Sequence, residues 1–178
     1  MIALFYDTET TGLPLFHEPS EDPRQPHIVQ LAASLVDLQS RQVIASMDVI
    51  VRPEGWEIPA EVAAIHGITT ERAREVGVSE AVALRTFVAL YNARKRIAHN
   101  EQFDARIIRI GLMRYQVGMD PDVWKAGQSE CTQLMSTPIL KLPPTEKMRA
   151  AGRTHFKSAN LGEAYKHFTG SEDRKSVV

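Results

Sequence analysis

Apolar positions in this chain repeat with two periods, and the change of period marks the elements. Ile2-Ala3-Leu4-Phe5-Tyr6 is a short, unbroken apolar run rich in β-formers, which predicts a buried strand near the N-terminus. A polar, proline-bearing loop follows from Pro14 to Pro26. Two more β-like runs, 28–37 and 43–51, flank the turn-like Leu38-Gln39-Ser40-Arg41-Gln42. Three successive strands of this kind predict an antiparallel meander. The period then lengthens. Pro59 opens a short helix through Ile65, using proline in its first turn. Ser79 caps a longer helix whose Leu84, Phe87, Val88 and Tyr91 form one core stripe. Arg96-Ile97-Ala98-His99 reads as a short strand, and Asn100 as the N-cap of a helix carrying Phe103, Ile107 and Ile110 at helical spacing. Pro138, Pro143, Pro144 and Gly152 make residues 118–157 a long, partly irregular segment. The order of elements predicts an α/β domain.

Composition narrows the class. The 178 residues, 43% hydrophobic and 24% charged, suit one soluble globular domain with a substantial core. Cys131 is the single cysteine, which excludes an intrachain disulfide and fits a reducing cytosol; it reads as a small, partly buried hydrophobe. No apolar run approaches the ~18 residues of a membrane span, and the N-terminus lacks the basic start of a signal peptide. A cytoplasmic location with no membrane partner is the expectation.

Candidate chemistry sits at two places. Asp7-Thr8-Glu9-Thr10-Thr11-Gly12 closes the first strand. Side chains alternate along a strand, so Asp7 and Glu9 share a face, about 6–7 Å apart along the chain. Two acids that close repel unless a positive charge lies between them, and a divalent metal is the usual answer. Gly12 is expected to make a turn that a Cβ would hinder. The second place is His99-Asn100-Glu101-Gln102-Phe103-Asp104. Asp104 falls about one turn into its helix, beside the apolar face, where a carboxylate aimed at a neighbouring strand suits a third metal ligand. Taken alone, it would be a first-turn acid favoured by the helix dipole.

Together these stretches closely resemble the DEDD-type 3′–5′ exonucleases, and in pattern the proofreading epsilon subunit of bacterial DNA polymerase III and its stand-alone cousins. Ile65-His66-Gly67-Ile68-Thr69 resembles the segment lining that family's substrate groove; Cys131-Thr132 with Pro138, and 161–170, resemble its later regions. The resemblance implies a ribonuclease H-like fold, a central mixed sheet flanked by helices, over residues 1–170. It implies two Mg²⁺ or Mn²⁺ ions clamping the attacking and leaving oxygens of a phosphodiester. Asp7 would bridge both ions, Glu9 would hold one, and Asp104 the other mostly through water. Thr10, Thr11, Gly12, His66, Asn100 and Phe103 would touch the terminal nucleotide of a single-stranded DNA or RNA 3′ end, Phe103 being equally readable as core. A polymerase or replication protein is the partner this resemblance suggests. Haloacid-dehalogenase-like phosphatases also begin with a strand ending in acids, but use Asp-x-Asp where this chain has Asp-x-Glu.

Two features depart from the pattern. The family's last motif, a His, four residues and an Asp, is not found, and residues 171–178 form a tail in place of the expected last helix. His167 precedes Glu172 at that spacing but lies before the turn at Thr169-Gly170, and His155 has no acid at the required distance. The expectation is impaired turnover, with a non-catalytic protein that binds metal or nucleic-acid ends on the same fold as the alternative. The net charge of −1 is also modest for a nucleic-acid binder, though bound metals supply local positive charge. The densest basic run, Arg94-Lys95-Arg96, reads as a solvated helix end.

Overall fold

In the computed structural model, which describes residues 1–171, the first apolar run becomes the middle strand of a five-stranded sheet. Strand β1 (Ile2–Thr10) pairs antiparallel with β2 (Ile28–Asp37), which pairs antiparallel with β3 (Gln42–Ile50). On its other side β1 runs parallel to β4 (Lys95–Ala98), and β4 parallel to β5 (Ser129–Cys131). The order is β3-β2-β1-β4-β5, a mixed sheet with the expected meander on one side. The described residues hold eight helices: α1 (Ala60–His66), α2 (Thr70–Val76) and α3 (Glu80–Tyr91) between β3 and β4, α4 (Glu101–Tyr115) and α5 (Pro121–Ala126) between β4 and β5, and α6 (Thr132–Leu140), α7 (Glu146–Ala150) and α8 (Leu161–Thr169) after β5. None is long and apolar enough to cross a membrane. Of the expected tail at 171–178, everything from Glu172 onward lies outside the described residues.

The main core forms where α3 and α4 cover one face of the sheet. Leu4, Leu31, Phe87, Ile107 and Ile108 are fully or almost fully buried there. Trp124 of α5 is their hub: its ring lies 5.9, 5.6 and 4.9 Å from those of Tyr6, Phe87 and Tyr91, edge-on in each case. Ser79 caps α3 as its sequence predicts, its hydroxyl accepting from the Val82 N–H. At Gly111, where α4 crosses α3, an added Cβ would stand 2.7 Å from Leu84 Cδ1.

Three expectations need correction. Asn100 precedes α4 but does not cap it through its side chain. It takes the left-handed conformation, φ 64°, because the chain turns from β4 into α4 within two residues, and Asn tolerates that conformation. Arg94-Lys95-Arg96 is not a solvated helix end. It leads into β4, where Arg96 is 3% exposed, its Nε 2.7 Å from Glu101 Oε1 and its guanidinium 4.2 Å over the Trp124 ring. Residues 118–157 are more regular than their prolines suggest. They hold α5, β5, α6 and α7, with Pro121 in the first turn of α5 and Pro138 inside α6. The short helix α2, capped by the Thr69 hydroxyl, was not predicted at all.

Candidate active site

Strand β1 outlasts its parallel neighbour, and that mismatch builds the site. Pairing with β4 stops at Phe5–Ile97, while pairing with β2 continues to Thr10–Ile28. Past Phe5 the space beside β1 is taken by the first turns of α4. The Thr8 N–H donates to Asp104 Oδ1 at 3.0 Å, and the Thr8 hydroxyl donates to the same oxygen at 2.6 Å. Asp104 is thereby locked, 2% exposed, against the strand that carries Asp7 and Glu9.

The three acids stand in an electrostatically costly arrangement. Burial raises Asp104, Thr8 donation pulls it back, and the Asp7 charge raises it again, leaving it pushed up to about 7. Glu9 is raised by burial and then by Asp7. Asp7 itself is solvent-facing, yet surrounding protein crowds its carboxylate enough that desolvation raises it; the Thr8 N–H and the charge of His99 oppose that. Asp7 is thus the electrostatic neighbour of both other acids. Among the described residues no Lys or Arg pairs with any of the three. Nor do any three His, Cys, Asp or Glu among them close into a ready-made metal cage. The donor set itself suits a hard divalent cation, since all three are carboxylates, Asp7 presses on both others and no Lys or Arg among the described residues pairs with them.

The remaining predicted residues divide. The Thr10 hydroxyl donates to Gly12 O at 2.7 Å, and Thr11 Oγ1 accepts from the His27 N–H at 3.0 Å, while the Thr11 N–H donates to His27 O at 3.0 Å. Both threonines therefore pin the exit of β1. Gly12 needs no left-handed turn, contrary to expectation, and an added Cβ would meet nothing within 4 Å; the space above it is open. His66 ends α1, and its Nδ1 accepts from the Ile68 N–H at 3.1 Å. Its Nε2 is buried with no partner among the described residues, and desolvation lowers its pKa. Asn100 is exposed, and Phe103 is half-buried against the main core.

Sequence reasoning passed over His99. Its Nδ1 lies 3.0 Å from Thr132 Oγ1 and its Nε2 2.9 Å from Ala159 O, so it joins β4 to the start of α6 and to the segment entering α8. Its place at the end of a strand, directly before the Asn100 turn, was the available signal. His155 is exposed, and His167 stacks edge-on against Phe168.

Residues 4–134 match the family model of RNase T-type exonucleases. The chain belongs to the exonuclease family. This family of phosphodiester hydrolases depends on divalent metals. No curated protein matches the exonuclease chain. Solved structures do. Exonuclease I aligns over 98% of this chain with a TM-score of 0.69 and 21% identity. E. coli exonuclease I in complex with a dA13 oligonucleotide aligns over 93% (TM-score 0.64, 19% identity), and its zinc-bound form with single-stranded DNA over 95% (0.63, 21%). At that identity the likeness shows the fold, the ribonuclease H-like sheet flanked by helices. The chain spans only 37–40% of the length of these three structures. The resemblance to the epsilon subunit holds at the level of the shared family.

Proposed function

We infer that residues 1–170 form a 3′–5′ exonuclease unit that hydrolyses phosphodiester bonds at single-stranded nucleic-acid 3′ ends with Mg²⁺ or Mn²⁺. The observation that carries this reading is the trio Asp7, Glu9 and Asp104, all raised in pKa by burial, with Asp7 pressing on both partners and no Lys or Arg among the described residues paired with any of them. Structural acids are normally compensated; uncompensated ones in one locality mark a site that waits for a charge. Bound divalent ions would supply that charge, polarise the scissile phosphate and lower the pKa of an attacking water. On this reading Asp7, the electrostatic neighbour of both other acids, would be shared by both ions, with Glu9 and Asp104 each serving one, Asp104 mostly through water. DNA is the favoured substrate, because the matched E. coli exonuclease I structures hold oligodeoxynucleotides.

The substrate contacts on this reading are those the family resemblance implies. The free space over Gly12 admits a nucleotide close to the backbone. Leu13 beside it and Ile65 beside His66 are 75% and 78% exposed, and offer apolar faces to bases. Asn100 is exposed, and the buried His66 Nε2 lacks a partner among the described residues, a donor that a nucleotide oxygen would satisfy on local rearrangement.

The test pairs calorimetry with cleavage. Wild-type protein should bind Mn²⁺ and shorten a 5′-labelled oligothymidylate stepwise from its 3′ end, and Asp7→Ala should do neither. Equal Mn²⁺ affinity in the two proteins would remove the assignment. Metal binding without any shortening would leave only a binding protein.

A further inference from the structure

Charge is unevenly spread along this chain. Residues 141–157 contain five cations, Lys141, Lys147, Arg149, Arg153 and Lys157, against one acid, Glu146. The other sixteen Lys and Arg face twenty-one acids, so this segment is basic while the rest of the chain, taken together, is acidic. That segment is a compact Ω-shaped loop. The Lys157 N–H donates to Leu142 O at 3.0 Å and closes its neck, and α7 forms its crown. Lys141, Lys147, Arg149 and Arg153 are exposed and take no part in ion pairs among the described residues, whereas Lys157 pairs with Glu163. Phe156, 45% exposed, adds an aromatic face. Unpaired exposed cations interleaved with an aromatic suit a sugar-phosphate strand.

The foot of the loop fixes where this surface lies. Two residues past Lys157, Ala159 is fully buried, and its carbonyl accepts from both His99 Nε2 and Gln133 Nε2. His99 directly follows β4, whose Ile97 pairs in parallel with Phe5, two residues before Asp7. The basic loop is therefore rooted at the acid-bearing end of the sheet.

We propose that the 142–157 loop is the backbone grip of this protein: its lysines and arginines hold the phosphates of a single-stranded nucleic acid while Phe156 stacks on a base, delivering the 3′ end to the acids. The ligand class rests on the exonuclease reading above; the grip itself is read from binding alone.

Anisotropy of a labelled oligothymidylate in EDTA, across a salt series, tests it. Each phosphate contact to a single strand contributes about −0.7 to the slope of log affinity against log salt. Arg149→Gln/Arg153→Gln should flatten that slope by about 1.4, and adding Lys141→Gln and Lys147→Gln should weaken binding about tenfold or more. Phe156→Ala should weaken binding about fivefold with the slope unchanged, since stacking releases no counterions. The charge-matched control is Arg41→Gln/Arg94→Gln, at the end of the sheet where Ile2 pairs with Asp37. It should leave the slope as it was. An unchanged slope in the loop variants, an equal loss in the control, or tighter capture of phosphatidylserine vesicles than of the oligonucleotide would overturn the proposal. A wild-type chain that shows the loop-dependent slope but never shortens the strand with Mn²⁺ keeps the grip and loses the exonuclease reading. Shortening with no loop dependence does the reverse.

Discussion

Glu80 and Asp104 are equally buried, each 2% exposed, yet they are set up in opposite ways. Glu80, at the start of α3, is surrounded by partners. Its Oε2 lies 2.8 Å from His27 Nδ1 and accepts from the Tyr115 hydroxyl at 2.9 Å; its Oε1 accepts from the Ile28 N–H at 3.1 Å, with the Arg114 guanidinium 3.8 Å away. Arg114 also donates to the Gln25 and Pro26 carbonyls, and His27 stacks on Trp56 at 4.6 Å. This network ties the end of the 14–26 loop to α3 and α4. Asp104, by contrast, takes its hydrogen bonds from other described residues at Thr8 alone and is pressed by another acid. A compensated buried acid holds the fold together, and an uncompensated one keeps a place for a charge the chain does not supply.

The contrast breaks most readily at Asp7. Asp7→Ala should remove Mn²⁺ binding and lower cleavage by about 10³-fold, several kcal/mol of transition-state charge stabilisation at about 1.4 kcal/mol per decade. Its unfolding midpoint in urea should hold or rise, because a repulsion is lost. Glu80→Ala should behave in the opposite sense. It strands the Arg114 charge, the Tyr115 hydroxyl and the Ile28 N–H, and should cost about 3–5 kcal/mol of stability by urea unfolding. Per folded molecule, its Mn²⁺ affinity should match wild type. If Glu80→Ala left stability intact and abolished metal binding, the roles given to the two acids would be exchanged.

Much of this contrast was legible along the chain, and the illegible part is specific. Period-2 alternation put Asp7 and Glu9 on one face, and period-3.6 spacing put Asp104 beside the core. No local pattern could show that β1 runs past β4, so the Thr8–Asp104 lock was invisible. Arg96 was misread because its partners, Glu101 and the Trp124 ring, come together only when β4, α4 and α5 pack. The bond from His99 to Ala159 spans 60 residues, beyond the reach of any periodicity. The loop at 142–157 was visible as prolines and glycine, but its basic character appears only when its charges are counted against those of the rest of the chain.

Titration of Asp104 sharpens the comparison further. Its folded pKa of about 7 stands above its ordinary 3.8, so the protonated form favours folding. That contribution is fully present below pH ~4 and is lost as pH rises through about 7. Asp104→Asn, which keeps an acceptor for Thr8 and carries no charge, should therefore be more stable than wild type by about 4 kcal/mol at pH 8 in EDTA. The gain should vanish near pH 4. Urea midpoints measured at both pH values decide it, and a gain independent of pH would mean that burial of the charge is not what strains this residue.

Thr8→Val is the gentlest perturbation and isolates what the lock does. The substitution keeps shape and the backbone donor but removes the hydroxyl bonded to Asp104 at 2.6 Å. A hydrogen bond to a charged group contributes about 1.5–3 kcal/mol, part of which the Thr8 N–H retains here. Because that hydroxyl favours the carboxylate form, its loss should raise Asp104 further, by about one unit at 1.36 kcal/mol per unit. A metal binds the deprotonated acid, so the midpoint of the pH dependence of Mn²⁺ affinity should move upward by the same amount, with maximal affinity at high pH little changed. Glu80 and Thr8 share no hydrogen-bond partner among the described residues, and the stability effects of Thr8→Val and of Glu80→Ala should add in the double variant. If Thr8→Val lowered Mn²⁺ affinity equally at every pH, the hydroxyl would be positioning Asp104 rather than setting its charge.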